Sequence, residues 1–251
     1  MDTFHTTPGM SSMNKYLIGL AACTAVGAAG AQNLVTNGSF DNGGLPSAKL
    51  NASNMPFWTP AMTSAYGSGN YSVFYANAAA ATTAPGATGT MDGDLLLWAV
   101  TDSPDGGSFI AIDGDSNVAS KIQQSVSGLV VGQAYTLSFS FAGAQFTTRT
   151  GPTTEWWDVS LGNSAVQRTT ILNNDSKGFT GWYTATMTFV ADSPTAVLSF
   201  LAGGSPDGAP PVALLDGVSL VAAVPEPSSW ALMGVGALML AGLRQRRRRR
   251  D

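Results

Sequence analysis

Histidine and cysteine are almost absent from this chain of 251 residues: His5 and Cys23 are its only examples, and both lie near the N-terminus. If that region is removed, the working protein has neither. That excludes His-assisted and cysteine nucleophiles, zinc sites built on His or Cys, and any disulfide framework. Charge is also scarce, at 11% of residues, against roughly 25% in an ordinary soluble domain. What is present instead is apolar and small: 44% hydrophobic residues and 29 glycines, enough for one large β domain or two small ones. The formal charge of −4 hides an uneven distribution, because six of the twelve basic residues fall in the last eight positions.

Both ends read as addresses. From Met13, the expected start, the chain runs MNKYLIGLAACTAVGAAGAQ. Lys15 forms a basic n-region, Tyr16 to Val26 an apolar h-region, and Ala29-Gly30-Ala31 a cleavage site before Gln32. Residues 1–31 are therefore expected to be leader and signal peptide, removed by signal peptidase between Ala31 and Gln32. A second reading stays open, since Leu20-Ala21-Ala22-Cys23 resembles a lipobox whose cysteine is lipidated. At the other end, Val224-Pro225-Glu226-Pro227 resists helix because two prolines fix φ and remove donors. An uncharged stretch from Ser228 to Leu243 follows, and Arg244 and Arg246, Arg247, Arg248, Arg249 and Arg250 close it. Its sixteen residues make ~24 Å of helix, slightly short of a ~30 Å hydrocarbon core. Trp230 and the arginines can settle at the two interfaces, with the arginines on the cytoplasmic side. One C-terminal transmembrane helix is expected.

This order of motif, apolar helix and basic tail resembles the PEP-CTERM sorting signal of Gram-negative bacteria, over residues 224–251. The resemblance implies export across the inner membrane, a transient membrane anchor, recognition by exosortase, and delivery to the cell surface or an extracellular matrix rich in exopolysaccharide.

Residues 32–223 remain as the expected ectodomain. Up to Val224, five basic residues (Lys49, Lys121, Arg149, Arg168 and Lys177) stand against twelve Asp and the single Glu155, a net charge near −8. Such a surface repels nucleic acid and anionic lipid and suits cations or neutral partners. The periodicity is that of strands. Tyr135, Leu137, Phe139 and Phe141 alternate with small or polar residues, as do Trp157, Val159 and Leu161. Tyr183, Ala185, Met187 and Phe189 oppose Trp182, Thr184, Thr186, Thr188 and Val190. Further strands are predicted at 33–40, 71–75, 95–100, 109–112, 121–126, 196–201 and 212–221, separated by Gly/Asp/Asn/Pro turns. The low-complexity run 76–90 reads as a surface loop, and no stretch has a helical pattern. About ten strands in one unit predict an all-β, antiparallel two-sheet β-sandwich, a jelly roll.

The order of short motifs (Asn33–Asp41, Phe57-Trp58, Ile122–Val126, Gly181-Trp182-Tyr183, Leu214–Val218) resembles the galactose-binding-like jelly rolls of carbohydrate-binding modules. That resemblance implies a structural calcium ion held by Asp41 and Asp216. Asp41 stands where many relatives carry the longer Glu. Asp113, Asp115 and Asn117 have calcium-loop spacing and form a weaker second candidate. Val118 replaces the sharp-turn glycine, and Gln124 the closing glutamate.

Neutral sugars stack on exposed aromatic rings with hydrogen bonds at their edges. Trp156 and Trp157 are adjacent on a strand, so they point to opposite faces; Val159 and Leu161 put Trp157 inside and leave Trp156 outside with Asp158. Tyr75, Trp98 and Gln145 are the expected companions of a ligand site there. A glycosidase needs two carboxylates at a set separation, and no paired motif supplies them, so no catalytic residue is assigned. The sequence points to a non-catalytic exported module associating with extracellular polysaccharide or the cell envelope. A structural matrix protein working by protein–protein contacts, and less readily a glycoside-active enzyme, are the alternatives.

Overall fold

The computed structural model describes residues 32–41, 49–50, 55–62, 72–83, 95–118, 120–223, 234–236 and 238–240, all within the unit that runs from Ala31 to Asp251. The leader, Ala31, Tyr71, the Val224–Pro227 motif and the arginine tail lie outside the described residues. Of the expected transmembrane helix only 234–236 and 238–240 are described, and both are helical. Among the described residues no helix is long and apolar enough to cross a membrane.

Two antiparallel sheets face each other. Chain order gives β1 (Lys49–Leu50), β2 (Thr59–Met62), β3 (Ser72–Tyr75), α1 (Ala78–Thr83), β4 (Phe109–Asp113), β5 (Ser120–Ser127) and β6 (Ala134–Gln145). The series continues with β7 (Thr153–Leu161), β8 (Gln167–Arg168), β9 (Leu172–Asn174), β10 (Tyr183–Val190), β11 (Thr195–Ser205) and β12 (Pro211–Ala222). One sheet has the order β1-β3-β4-β12-β6-β10, the other β2-β5-β11-β7-β8, with β9 also pairing β7. This is the all-β sandwich expected from the alternation.

That alternation is visible in the burial. Along β7, Thr153, Glu155, Trp157, Val159 and Leu161 are buried while the residues between them are half-exposed. The inward rows of both sheets form one core in which Trp157, Phe139, Phe200, Leu137, Ile122 and Leu215 pack together. Phe200 meets Trp157 edge-on at 6.0 Å and Phe139 at 5.1 Å, a favoured aromatic geometry. The Trp157 indole N–H donates to the Leu214 carbonyl at 3.0 Å, so one side chain bolts the two sheets.

A second core lies on the outer face of the first sheet, where Tyr75, Phe109, Leu97, Ala81 and Leu214 pack together. It corrects the reading of 76–90 as loop. Residues 78–83 form α1, because alanine has the best helix propensity and both the Asn77 side chain (to Ala80 N, 2.8 Å) and Asp102 (to Ala78 N, 2.9 Å) cap the first turn. Two predicted strands are also corrected. Segment 33–40 follows β12 through single bonds such as Leu34 N to Leu220 O (2.8 Å), and it turns at Asn37 and Phe40, whose φ values are 53° and 55°. Segment 95–100 makes only the isolated bridge Leu97 to Phe146.

Candidate functional site

Trp156 and Asp158 stand on the outer face of the second sheet, as their alternation with Trp157 requires. The indole does not present a free platform. One side lies on Gly203 of β11, its cross-strand partner, so closely that a Cβ there would fall 2.4 Å from Nε1. The Arg168 guanidinium also lies over the ring, 4.7 Å from its centroid. Arg168 is held by a two-pronged bond to Asp158, with Nε and Nη2 each 2.7 Å from a carboxylate oxygen, the geometry in which the guanidinium fork is strongest. The structure thus builds a stack of glycine, tryptophan and arginine.

The other expected companions are elsewhere. Tyr75 is wholly buried in the second core; its hydroxyl donates to the Leu95 carbonyl, and burial pushes its pKa well above the usual phenol value. Gln145 is also wholly buried, donating to Gly151 O (2.9 Å) and accepting from Lys177 N (2.8 Å). Trp98 is tied to it through Trp98 N to Gln145 O (3.0 Å), and Lys177 lies over its ring at 5.5 Å. Local periodicity could not show that Tyr75 and Gln145 belong to the opposite sheet from Trp156.

Arg168 also belongs to a groove that the sequence reading missed. Strand β10 ends the first sheet and β8 ends the second, so the sandwich is open along this side. The opening holds a groove of about 470 Å³. Phe141 and Met187 form an apolar floor, and Gln167, Arg168, Thr169 and Tyr183 stand among its walls. Tyr183 is 50% exposed, and its ring lies 6.1 Å from that of Phe141. Gln167 Nε2 donates to Thr188 O at 2.8 Å and clips the two edges together. An exposed ring, hydroxyls and one cation over an apolar floor can stack a neutral ring and bond its edge. The alternation around Tyr183 was readable; its edge position was not, because strand order is a long-range property.

The residues expected to hold calcium divide. Asp216 is fully buried at the β12 bulge, and neither of its oxygens has a partner in hydrogen-bonding geometry. Burial pushes its pKa up to about 7; the Ser103 hydroxyl and Gly217 amide pull it back, while Asp105 and Asp41 push it up again. Asp41 accepts from Ser108 N at 2.7 Å. A wholly buried carboxylate near two others, with only the Ser103 hydroxyl and the Gly217 amide to offset its burial, fits an oxygen-ligated cation. Among the described residues no group of three His, Cys, Asp or Glu is drawn tightly enough to hold a metal by itself, so carbonyls or water would have to complete the shell.

Asp113, Asp115 and Asn117 form a self-satisfied turn. Asp113 accepts from Asp115 N (2.8 Å), Asp115 from Asn117 N and Nδ2 (both 2.8 Å), and Asp115 again from Gly208 N (2.7 Å). Burial raises Asp115, but those amides outweigh it and hold the carboxyl below its usual value. For Asp113 burial wins, raising it to about 6. These bonds make the segment an Asx turn, engaging one oxygen of Asp113 and both of Asp115.

Residues 223–249 match the PEP-CTERM protein-sorting motif. No curated protein sequence matches the chain. Among solved structures, a cyclase from Fischerella sp. TAU, in complex with an indolyl butanone, is 14% identical, with a TM-score of 0.50, covering 76% of this chain and 97% of that one. The chain is also similar to TmCBM61 in complex with β-1,4-galactotriose (12%, TM-score 0.42, 76% and 99%). A third similar structure is the tandem CBM22 domain of Paenibacillus barcinonensis Xyn10C (13%, TM-score 0.42, 81% and 49%). At these identities the likeness is one of fold. The chain is a two-sheet β-sandwich followed by a PEP-CTERM sorting motif, the mark of an exported exosortase substrate.

Proposed function

We propose that this protein is an exported, non-catalytic module that exosortase sorts to the cell surface or matrix, where its edge groove associates with extracellular polysaccharide. The observation that carries the reading is the sorting motif at 223–249, which marks an exported exosortase substrate. The groove supports the glycan half: its lining combines Tyr183, Arg168, Gln167 and threonine hydroxyls and includes no carboxylate among the described residues. Hydrolysis by the usual carboxylate pair needs two such groups flanking the scissile bond. Trp156 and Asp158 act from behind, holding Arg168 at the groove wall. Signal peptidase removes the leader in this account, and the C-terminal helix anchors the chain until exosortase acts. Calcium bound by Asp41 and Asp216, beside Asp105, would tie the opening segment to β12.

The test is retention of the purified full chain in affinity gels containing soluble polysaccharides, including the exopolysaccharide of the producing bacterium. Tyr183→Ala and Arg168→Ala should weaken retention while leaving the far-ultraviolet spectrum unchanged. One observation favours a rival. Strand β10 is an edge strand that ends in exposed Val190 (57%), and exposed Val166 (64%) precedes β8 at the edge of the other sheet; such edges pair with other chains. Concentration-dependent assembly with no retention on any glycan would favour the structural role.

A further inference from the structure

The pairing of β7 with β9 carries most of the buried polar side-chain atoms that lack a hydrogen-bond partner among the described residues. Glu155 is 1% exposed, Thr153 and Asn174 3% each. Both carboxylate oxygens of Glu155, both amide atoms of Asn174 and the Thr153 hydroxyl lack a hydrogen-bond partner. These three residues share a face. Thr153 and Glu155 are alternate residues of β7 that point inward with Trp157, and Asn174 of β9 is registered directly opposite Thr153. Glu155 is then diagonal to Asn174, about 7–8 Å away between backbones and within reach of a long side chain.

The surrounding backbone is shaped to the carboxylate. Gly143 of β6, in the facing sheet, comes so close that a Cβ would lie 2.3 Å from Glu155 Oε2. The loop after β9 lies against these residues. Thr180 bonds Gly143 through both its N–H (3.0 Å) and its hydroxyl (2.9 Å), and Gly178 lies against Asn174 Oδ1. Gln145 ties this loop to the 146–152 loop through Lys177 N and Gly151 O.

Leaving a buried polar group without a partner is costly, and more so if it is charged. Five such atoms, four of them oxygens, on the inward face of two paired strands mark a site. We infer that Glu155, Asn174 and Thr153 hold an oxygen-ligated cation of the calcium class, separate from the Asp41–Asp216 pair. The donors suit that ion: a carboxylate able to bind through both oxygens, an amide oxygen and a hydroxyl, with the rest of a six- to eight-oxygen shell left to carbonyls and water. A cation there would bridge β7 and β9 and fix the loop lying on β6. Burial pushes the Glu155 carboxyl up to about 8, and the neighbouring Thr153 hydroxyl pulls it back only in part, without reaching hydrogen-bond geometry.

The test uses the full chain, stripped with chelator and titrated calorimetrically with Ca²⁺ in the Asp216→Asn background, so that the other pair is silent. The chain should still bind Ca²⁺ and gain thermal stability from it, and adding Glu155→Gln should abolish both effects. Asn174→Asp, which supplies a second carboxylate, should tighten binding by about tenfold or more. If Asp216→Asn does not fold, Glu155→Gln in the otherwise native chain should lower the Ca²⁺ stoichiometry by one. The inference is overturned if Glu155→Gln leaves the stoichiometry unchanged. It is equally overturned if Glu155→Gln stabilises the chain alike in chelator and in Ca²⁺ while Asn174→Asp only destabilises, the signature of a buried, protonated carboxyl that holds no cation.

Discussion

Replacing Trp157 with phenylalanine removes two separable contributions. The indole is wholly buried between the sheets, and its N–H spans from β7 to the Leu214 carbonyl on β12 at 3.0 Å. Losing that bond costs ~1 kcal/mol net, because Leu214 retains its ladder bonds in the sheet. Phenylalanine keeps an edge-on ring against Phe200 but leaves a void of a few tens of Å³, worth about 1 kcal/mol at ~24 cal/mol per Å³. The total is about 2 kcal/mol. Urea unfolding followed by circular dichroism should show the midpoint falling by ~1 M at an m-value near 2 kcal/mol/M, with m unchanged. A loss below ~0.5 kcal/mol would show that the indole does not bridge the sheets in a closed core, and the assignment of β7's inward row would fail with it.

Three further outcomes follow from particular contacts. Gly203→Ala should cost ~1–3 kcal/mol through overpacking against Trp156, and much less in a Trp156→Ala background; equal costs in both would refute the stack. Asp158→Ala should cost less than about 1 kcal/mol, since the Arg168 side chain is 51% exposed, and the effect should shrink in high salt. Asp113, raised to about 6 by burial, binds its proton more tightly folded than unfolded. Its contribution is therefore fully present below the ordinary carboxylate pKa and is lost as pH rises through 6. Asp113→Asn should flatten the stability profile between about pH 4 and 6, and an unchanged slope would contradict the assignment.

Local alternation made most of the strands legible, because one face of each strand must be buried and side-chain period alone marks that face. Trp157 was placed inside and Trp156 outside on this ground. The same parity puts Glu155 inside with Trp157, a signal present in the chain but obscured by reading Glu155 as an isolated acid. Helix α1 was missed because its caps come from Asn77 and the distant Asp102. The groove was illegible for a different reason: Tyr183 and Arg168 face one opening only because β10 and β8 end their sheets, and strand order is decided by contacts far apart in sequence. Gly203 beneath Trp156 is equally a matter of register between β7 and β11. Asp41 and Asp216 were paired by resemblance, and the structure adds Asp105 beside them.

The central claim is that the groove between β8 and β10 takes an extracellular polysaccharide. Its most direct measurement is affinity-gel retention of the full chain against the producing bacterium's exopolysaccharide, with Tyr183→Ala as control. Retardation of the native chain, reduced severalfold by a folded Tyr183→Ala variant, is the expected result. Migration unchanged by any polysaccharide, or equal retardation of the two chains, would contradict it.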